Sequence, residues 1–121
     1  MKYTVIFHGD FEPEYNLLPA DVQDELFARI AVLEQFGPAL GRPTVDTLTA
    51  SSFANMKEVR FNCDGVWRFA FAFDPNRSAI ILCGGDKENE DQKKFYKWLI
   101  ATADARFASH IGQLKAKPRK A

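Results

Sequence analysis

The sequence predicts an α+β fold: an antiparallel β-meander sheet with an N-terminal helix and a long C-terminal helix packed on it. Three observations carry this. Val22, Leu26, Ile30 and Leu33 recur at helical spacing. From residue 58 the period changes to two: Val59, Phe61 and Cys63, then Trp67, Phe69, Phe71 and Phe73, alternate with polar or small residues. Past residue 90 the helical period returns in Tyr96, Ile100, Ala103, Phe107 and Ile111, widened by Phe95, Trp98 and Leu99.

Each element can be justified in order. Tyr3 to Phe7 is rich in β-formers and reads as the first strand. Gly9 to Pro19 is a polar connection with Pro13 and Pro19. Asp21 is the expected N-cap of the first helix; Asp24 and Glu25 fall in its first turn, where the helix dipole favours acids. That helix ends near Gly37-Pro38. Ala39 to Met56 reads as an irregular connector with room for a further short helix.

The next two strands meet at Asp64-Gly65. A two-residue loop would set Phe61 across from Arg68, mixing apolar and polar rows. A three-residue loop with Gly65 in a bulge pairs Cys63 with Trp67 and gathers Val59, Phe61, Cys63, Trp67, Phe69, Phe71 and Phe73 on one face. Burial selects that register. Arg60 and Arg68 then share the other, open face beside Ala70 and Ala72. Asp74-Pro75-Asn76-Arg77 is a second turn, and Ala79 to Cys83 a third strand. The last helix runs from about Glu90 to Ile111. The domain is expected to span 1–114, with 115–121 a basic disordered tail.

The length of 121 residues suits one domain with one core. Sixteen basic and sixteen acidic side chains give zero net charge, which argues against a protein that coats nucleic acid electrostatically. The charge is unevenly placed: residues 10–36 hold seven acids and one base, whereas 88–121 hold four acids and eight bases. Cys63 and Cys83 sit in apolar stretches without metal-ligand spacing and read as buried thiols of a reducing compartment. The start, MKYTVIFHGD, has neither a signal peptide nor a membrane span. The expected place is the cytoplasm.

Familiar catalytic sets are missing. No Ser-His-Asp or Cys-His set can be assembled, Gly84-Gly85 lacks a phosphate-loop fingerprint, and Asp86 and Asp91 are not spaced as a metal cluster. His8 and His110 read as structural or solvated. A basic constellation remains. Arg60 and Arg68 share a sheet face, Lys57 opens the second strand, and Lys87 closes the Gly84-Gly85-Asp86-Lys87 turn. Tyr96 lies beside Lys93, Lys94 and Lys97. Two guanidinium forks can hold a phosphodiester and stabilise a pentavalent transition state. A Lys or Tyr of depressed pKa can move the proton of a ribose 2′-OH or a leaving 5′-oxygen. No metal or other cofactor is needed. The same residues also fit solvated charges on an exposed sheet face.

Several blocks carry a resemblance. Arg42-Pro43-Thr44-Val45-Asp46-Thr47-Leu48, Asn55-Met56-Lys57-Glu58-Val59-Arg60, Trp67-Arg68, Phe73-Asp74-Pro75, Gly84-Gly85-Asp86-Lys87, Phe95-Tyr96 and Ala103-Asp104 stand in this order along residues 1–114. This set resembles the phage-related toxins of the RelE/ParE superfamily, in their HigB-like or Gp49-like branch. The resemblance implies a RelE-like fold and the toxin of a type II toxin–antitoxin pair. Many members cleave mRNA on the ribosome, without metal, by 2′-OH attack. It implies a helix-turn-helix antitoxin as partner, with DNA met only through that antitoxin. By position it implies phosphate contacts for Arg60 and Arg68 and catalytic positions at Lys87 and Tyr96. Lys57, Lys93, Lys94 and Lys97, the further lysines of the basic constellation, are the expected RNA-binding residues. The C-terminal Asp-Tyr-His run of some members has no counterpart here. A ParE-like toxin that blocks a protein such as DNA gyrase, or an inert phage-derived relative, would share the fold.

Overall fold

The computed structural model describes residues 2–116. In chain order the elements are β1 (Thr4–Phe7), α1 (Phe11–Asn16), α2 (Ala20–Phe36), β2 (Val45–Thr47), β3 (Lys57–Asn62), β4 (Val66–Phe73), β5 (Ser78–Asp86) and α3 (Gln92–Ala116). The strands form one sheet in the order β1-β5-β4-β3-β2. β3, β4 and β5 are the expected meander. β1 adds to β5 in parallel, from Thr4↔Ser78 to Phe7↔Ile81, so the sheet is mixed.

Four differences from the sequence reading have physical causes. The Gly9–Pro19 connection contains α1, because Pro13 falls in a first turn, where proline is tolerated. Its anchor, Phe11, is buried with its ring 6.0 Å from Phe69. Asp21 does not cap α2. Pro19 holds that place with extended dihedrals, and the Asp21 carboxylate accepts only the N–H of its neighbour Val22. The 39–56 connector holds β2, whose three residues are too few to show a period. The basic tail meets the structure only at Lys115 and Ala116, which complete α3; residues 117–121 lie outside the described residues.

The β3–β4 loop has three residues, but its pairing is offset by two from the expected one. Asn62↔Val66, Phe61↔Trp67 and Arg60↔Arg68 are partners, and Cys63-Asp64-Gly65 turn the chain. Backbone geometry decides this. Asp64 has φ 46° and Gly65 φ 148°, so the two positive-φ positions fall on the residues that tolerate them, and the Cys63 N–H donates to the Gly65 carbonyl at 3.1 Å. An offset of two preserves the faces. Val59, Phe61, Trp67, Phe69 and Phe71 are buried together against Val22, Leu26 and Leu33 of α2, with Cys63 and Phe73 at the margin.

The face carrying Arg60 and Arg68 is not open. α3 covers it, packing Leu99, Ala103 and Phe107 with Ala70, Ala72, Leu82 and Met56. The small side chains at 70 and 72 let the helix lie close. Its buried row is Phe95, Leu99, Ala103 and Phe107; Tyr96, Ile100 and Ile111 flank it, and Trp98, expected in the core, is 48% exposed. At Gly84 a Cβ would stand 2.1 Å from the Phe69 ring, so only glycine lets that ring lie over β5.

Candidate functional site

Beyond the α3-covered part of the sheet, the ladder sets Arg60 directly across from Arg68, and Glu58 lies one position further along on the same face. Like charges opposite each other in a ladder destabilise it. Glu58 offsets them. Its carboxylate Oε2 is 3.7 Å from Arg60 Nε, and Oε1 is 3.9 Å from Arg68 Nε. Both are ion pairs too long for hydrogen bonds. Tyr96, from α3, donates its hydroxyl to Glu58 Oε1 at 2.9 Å. On the outer side Asp46 of β2 stands 3.8 Å from Arg60 Nη1 and 3.6 Å from Arg42 Nε.

Arg68 and Glu58 are buried, at 7% and 5% exposure. The Arg68 Nη1 group donates to the Trp67 carbonyl at 2.8 Å, which fixes the guanidinium plane. The Nε–H groups of Arg60 and Arg68 are buried and make no hydrogen bond. Unpaired buried donors are costly, by about 1–3 kcal/mol each. Both face the Glu58 carboxylate across the longer ion-pair distances. Beside them lies a recess of about 400 Å³ lined by Arg42, Pro43, Arg60, Phe61, Asn62 and Arg68.

Burial shifts three proton-carrying groups of the site. Burial pushes the Glu58 carboxyl above its usual range; the Tyr96 hydrogen bond and the two guanidinium charges pull it back only in part. Burial lowers the Lys87 ammonium, and the Arg68 charge lowers it further. Lys87 sits over the Tyr96 ring at 5.8 Å and donates to Gln92 Oε1 at 3.1 Å. Tyr96 moves the other way: burial and the Glu58 charge raise it. That shift favours the protonated hydroxyl, which donates to Glu58, and runs opposite to the depressed pKa that a tyrosine base requires.

The other expected site residues divide. Lys93 and Lys97 line a second recess, next to Tyr96, together with Ala50, Ile100 and Ala101. Lys94 is one residue off that row, on the Trp98 flank of α3. Lys57 falls on the opposite sheet face, because it alternates with Glu58 and shares parity with Val59. Ser51 and Ser52 are turn residues, as expected; the Ser52 N–H donates to the Asp104 carboxylate at 2.9 Å. His110 is structural and meets Asp74 Oδ2 at 2.9 Å, and His8 Nδ1 accepts the Asp10 N–H at 3.0 Å. Cys63 and Cys83 are free thiols, the latter pushed up to about 12 by burial.

Two residues of the site were not singled out from the sequence: Glu58 and Arg42. The signal for Glu58 was present, since its parity puts it with Arg60 and Arg68. Nothing local marks Arg42, which reaches the site only because β2 pairs with β3. Among the described residues no group of three or more His, Cys, Asp or Glu side chains could hold a metal ion, and no helix is long and apolar enough to cross a membrane.

Residues 14–108 match the family model described as phage-derived protein Gp49-like. The candidate toxin HigB2 of Mycobacterium tuberculosis (strain H37Rv) is 43% identical over 108 residues, covering 87% of this chain and 53% of its own. The candidate toxin HigB3 of the same organism is 42% identical over 103 residues, covering 85% of this chain and 89% of its own. The chain thus spans about half the length of HigB2 and nearly all of HigB3. A double arginine-to-alanine variant of the E. coli toxin RelE, solved in its free state, superposes with a TM-score of 0.65 at 13% identity. That match covers 88% of this chain and 98% of RelE, and it shows the shared fold. The chain belongs to the phage-derived Gp49-like family, with HigB-like toxins among its relatives, and it shares the fold of RelE.

Proposed function

We propose that the chain is the toxin of a type II toxin–antitoxin pair and a metal-independent endoribonuclease that cuts mRNA on the ribosome. The observation that carries this reading is the Arg60–Arg68 pair with its unbonded Nε–H groups and the Glu58 carboxylate beside them. Such a site binds a phosphodiester and holds a base next to it.

The steps follow from the shifts. Glu58, more basic than an ordinary carboxylate because it is buried, takes the ribose 2′-OH proton in its ionised form. The 2′-oxygen attacks the adjacent phosphorus in line. Arg60 and Arg68 bear the charge that gathers on the phosphoryl oxygens. The P–O5′ bond breaks, and Lys87, more acidic than an ordinary ammonium, protonates the leaving 5′-oxygen. The products are a 2′,3′-cyclic phosphate and a 5′-hydroxyl end. Tyr96 orients Glu58 through its hydrogen bond. Lys93, Lys94 and Lys97 bring positive charge to the flanking strand. Lys57, on the other face, contributes at most to the long-range field. The small helix-turn-helix antitoxin is the proposed partner, and the cytoplasm the place of action.

Expression of the chain in bacterial cells tests this. Translation should stop, with new mRNA 5′ ends inside codons. Replication arrest with intact mRNA would instead indicate a gyrase-type target and reject the nuclease.

A further inference from the structure

We infer that the recess beside Tyr96 is a nucleobase subsite, holding the base of a nucleotide that flanks the scissile phosphate. The inference rests on the endoribonuclease reading above. The recess has a volume of about 390 Å³ and is lined by Ala50, Lys93, Tyr96, Lys97, Ile100 and Ala101. Ligand sites commonly measure ~300–1,000 Å³, so one planar base fits with room for its sugar.

Position supports the assignment. Tyr96 belongs to both regions: its hydroxyl reaches Glu58, and its side chain walls the recess. Arg60 and Arg68 line the other, arginine-rich recess. The phosphodiester site thus borders two recesses, one through Arg60 and Arg68 and one through Tyr96, and the two differ in chemistry. One is lined by three guanidinium-bearing side chains and the polar Asn62, with Pro43 and Phe61 as its apolar part. The other has apolar walls of Ala50, Ile100 and Ala101 with two lysines at its border. A single RNA strand offers matching chemistry, since anionic phosphates alternate with flat apolar base faces. Lys93 and Lys97 stand one turn apart on α3, exposed, where they can neutralise the phosphate next to the bound base.

The recess is also built in advance. Ala50 lies on the loop between β2 and β3. The loop is closed at its base by the Leu48 N–H donating to the Met56 carbonyl at 2.9 Å. Further along it is tied to α3. Ser51 Oγ donates to Asp104 Oδ1, the Ser52 N–H donates to Asp104 Oδ2 at 2.9 Å, and the Phe53 ring meets Phe107 edge-on at 4.9 Å. Walls fixed in this way spare binding the cost of ordering the loop. Readout should go by the size and stacking of the base, at one position beside the cut.

The test maps cleavage sites on translating ribosomes in a reconstituted translation system, with the full chain and with Ala101→Trp. Ala101 is exposed on α3, so the indole fills the recess without entering the core. The expected result is a changed base distribution at one position flanking the cut, with cleavage slowed about 10- to 100-fold, the scale of one lost stacking contact. Ala101→Leu, a smaller filling, decides the point if the tryptophan variant makes no cuts. Cuts by the variant with the wild-type base distribution overturn the subsite and leave the nuclease standing. No cuts by the wild-type chain overturn both readings.

Discussion

Tyr96 and Glu58, 38 residues apart in sequence, are joined by a 2.9 Å hydrogen bond from the tyrosine hydroxyl to the glutamate carboxylate. The bond ties α3 to β3 at the point where the sheet presents its two arginines. It also favours the ionised form of a carboxyl that burial otherwise pushes upward. Tyr96→Phe should cost about 1 kcal/mol of stability. If Glu58 is the base, activity falls as pH drops through its pKa. Loss of the hydrogen bond raises that pKa, so the acid limb of the pH–rate profile should move to higher pH. An unmoved limb would separate Tyr96 from the acid–base chemistry.

Glu58→Gln tests the base itself. The amide oxygen can still accept from Tyr96, but the charge that offsets Arg60 and Arg68 is lost, so the variant should fold with lowered stability, to be checked by circular dichroism, and it lacks a proton acceptor. Removing a general base lowers rates by about 10²- to 10⁴-fold. A cleavage rate within a few-fold of wild type would assign Glu58 a purely structural part, balancing Arg60 and Arg68.

Arg68 is expected not to tolerate lysine. Its guanidinium is fixed by the Trp67 carbonyl and presents a planar fork to the site. An ammonium keeps the charge and loses the fork. Arg68→Lys and Arg68→Ala should both lose about 10²- to 10³-fold in cleavage, the scale of one transition-state donor. Circular dichroism should show both folded. Near-wild-type cleavage by the lysine variant would mean that bulk charge suffices.

A control lies at the far end of α3. The Asp74 carboxylate is buried and accepts from the Asn76 N–H at 2.9 Å, the Ser78 N–H at 3.0 Å and His110 Nε2 at 2.9 Å. Asp74→Ala removes three hydrogen bonds and should cost about 2–4 kcal/mol in urea unfolding. Cleavage by the fraction that remains folded should keep its rate and its sites. A change in cleavage sites would extend the functional region to this end of the molecule.

Much of this was legible in the residues. Strict alternation from Val59 to Phe73 decided which side chains share a face, and so brought Arg60 and Arg68 together before any coordinates. The two-residue offset was not legible, because parity is blind to it; the turn dihedrals at Asp64 and Gly65 set it. The covering of the arginine face by α3 was hidden too, since Ala70 and Ala72 read as small exposed residues as easily as a seat for a helix. β1 joining β5 in parallel is a long-range pairing that no local pattern announces. In the site, the basic residues stood out by charge. Glu58 did not, because one acid in an alternating strand looks solvated until the structure buries it between two arginines and a tyrosine.

The most direct test of the central claim is a map of mRNA 5′ ends after induction, run in parallel for the wild-type chain and Arg68→Ala. The account predicts 5′-hydroxyl ends inside codons with the wild type, and their loss with the folded variant. Intact mRNA while the wild-type chain arrests growth would contradict it.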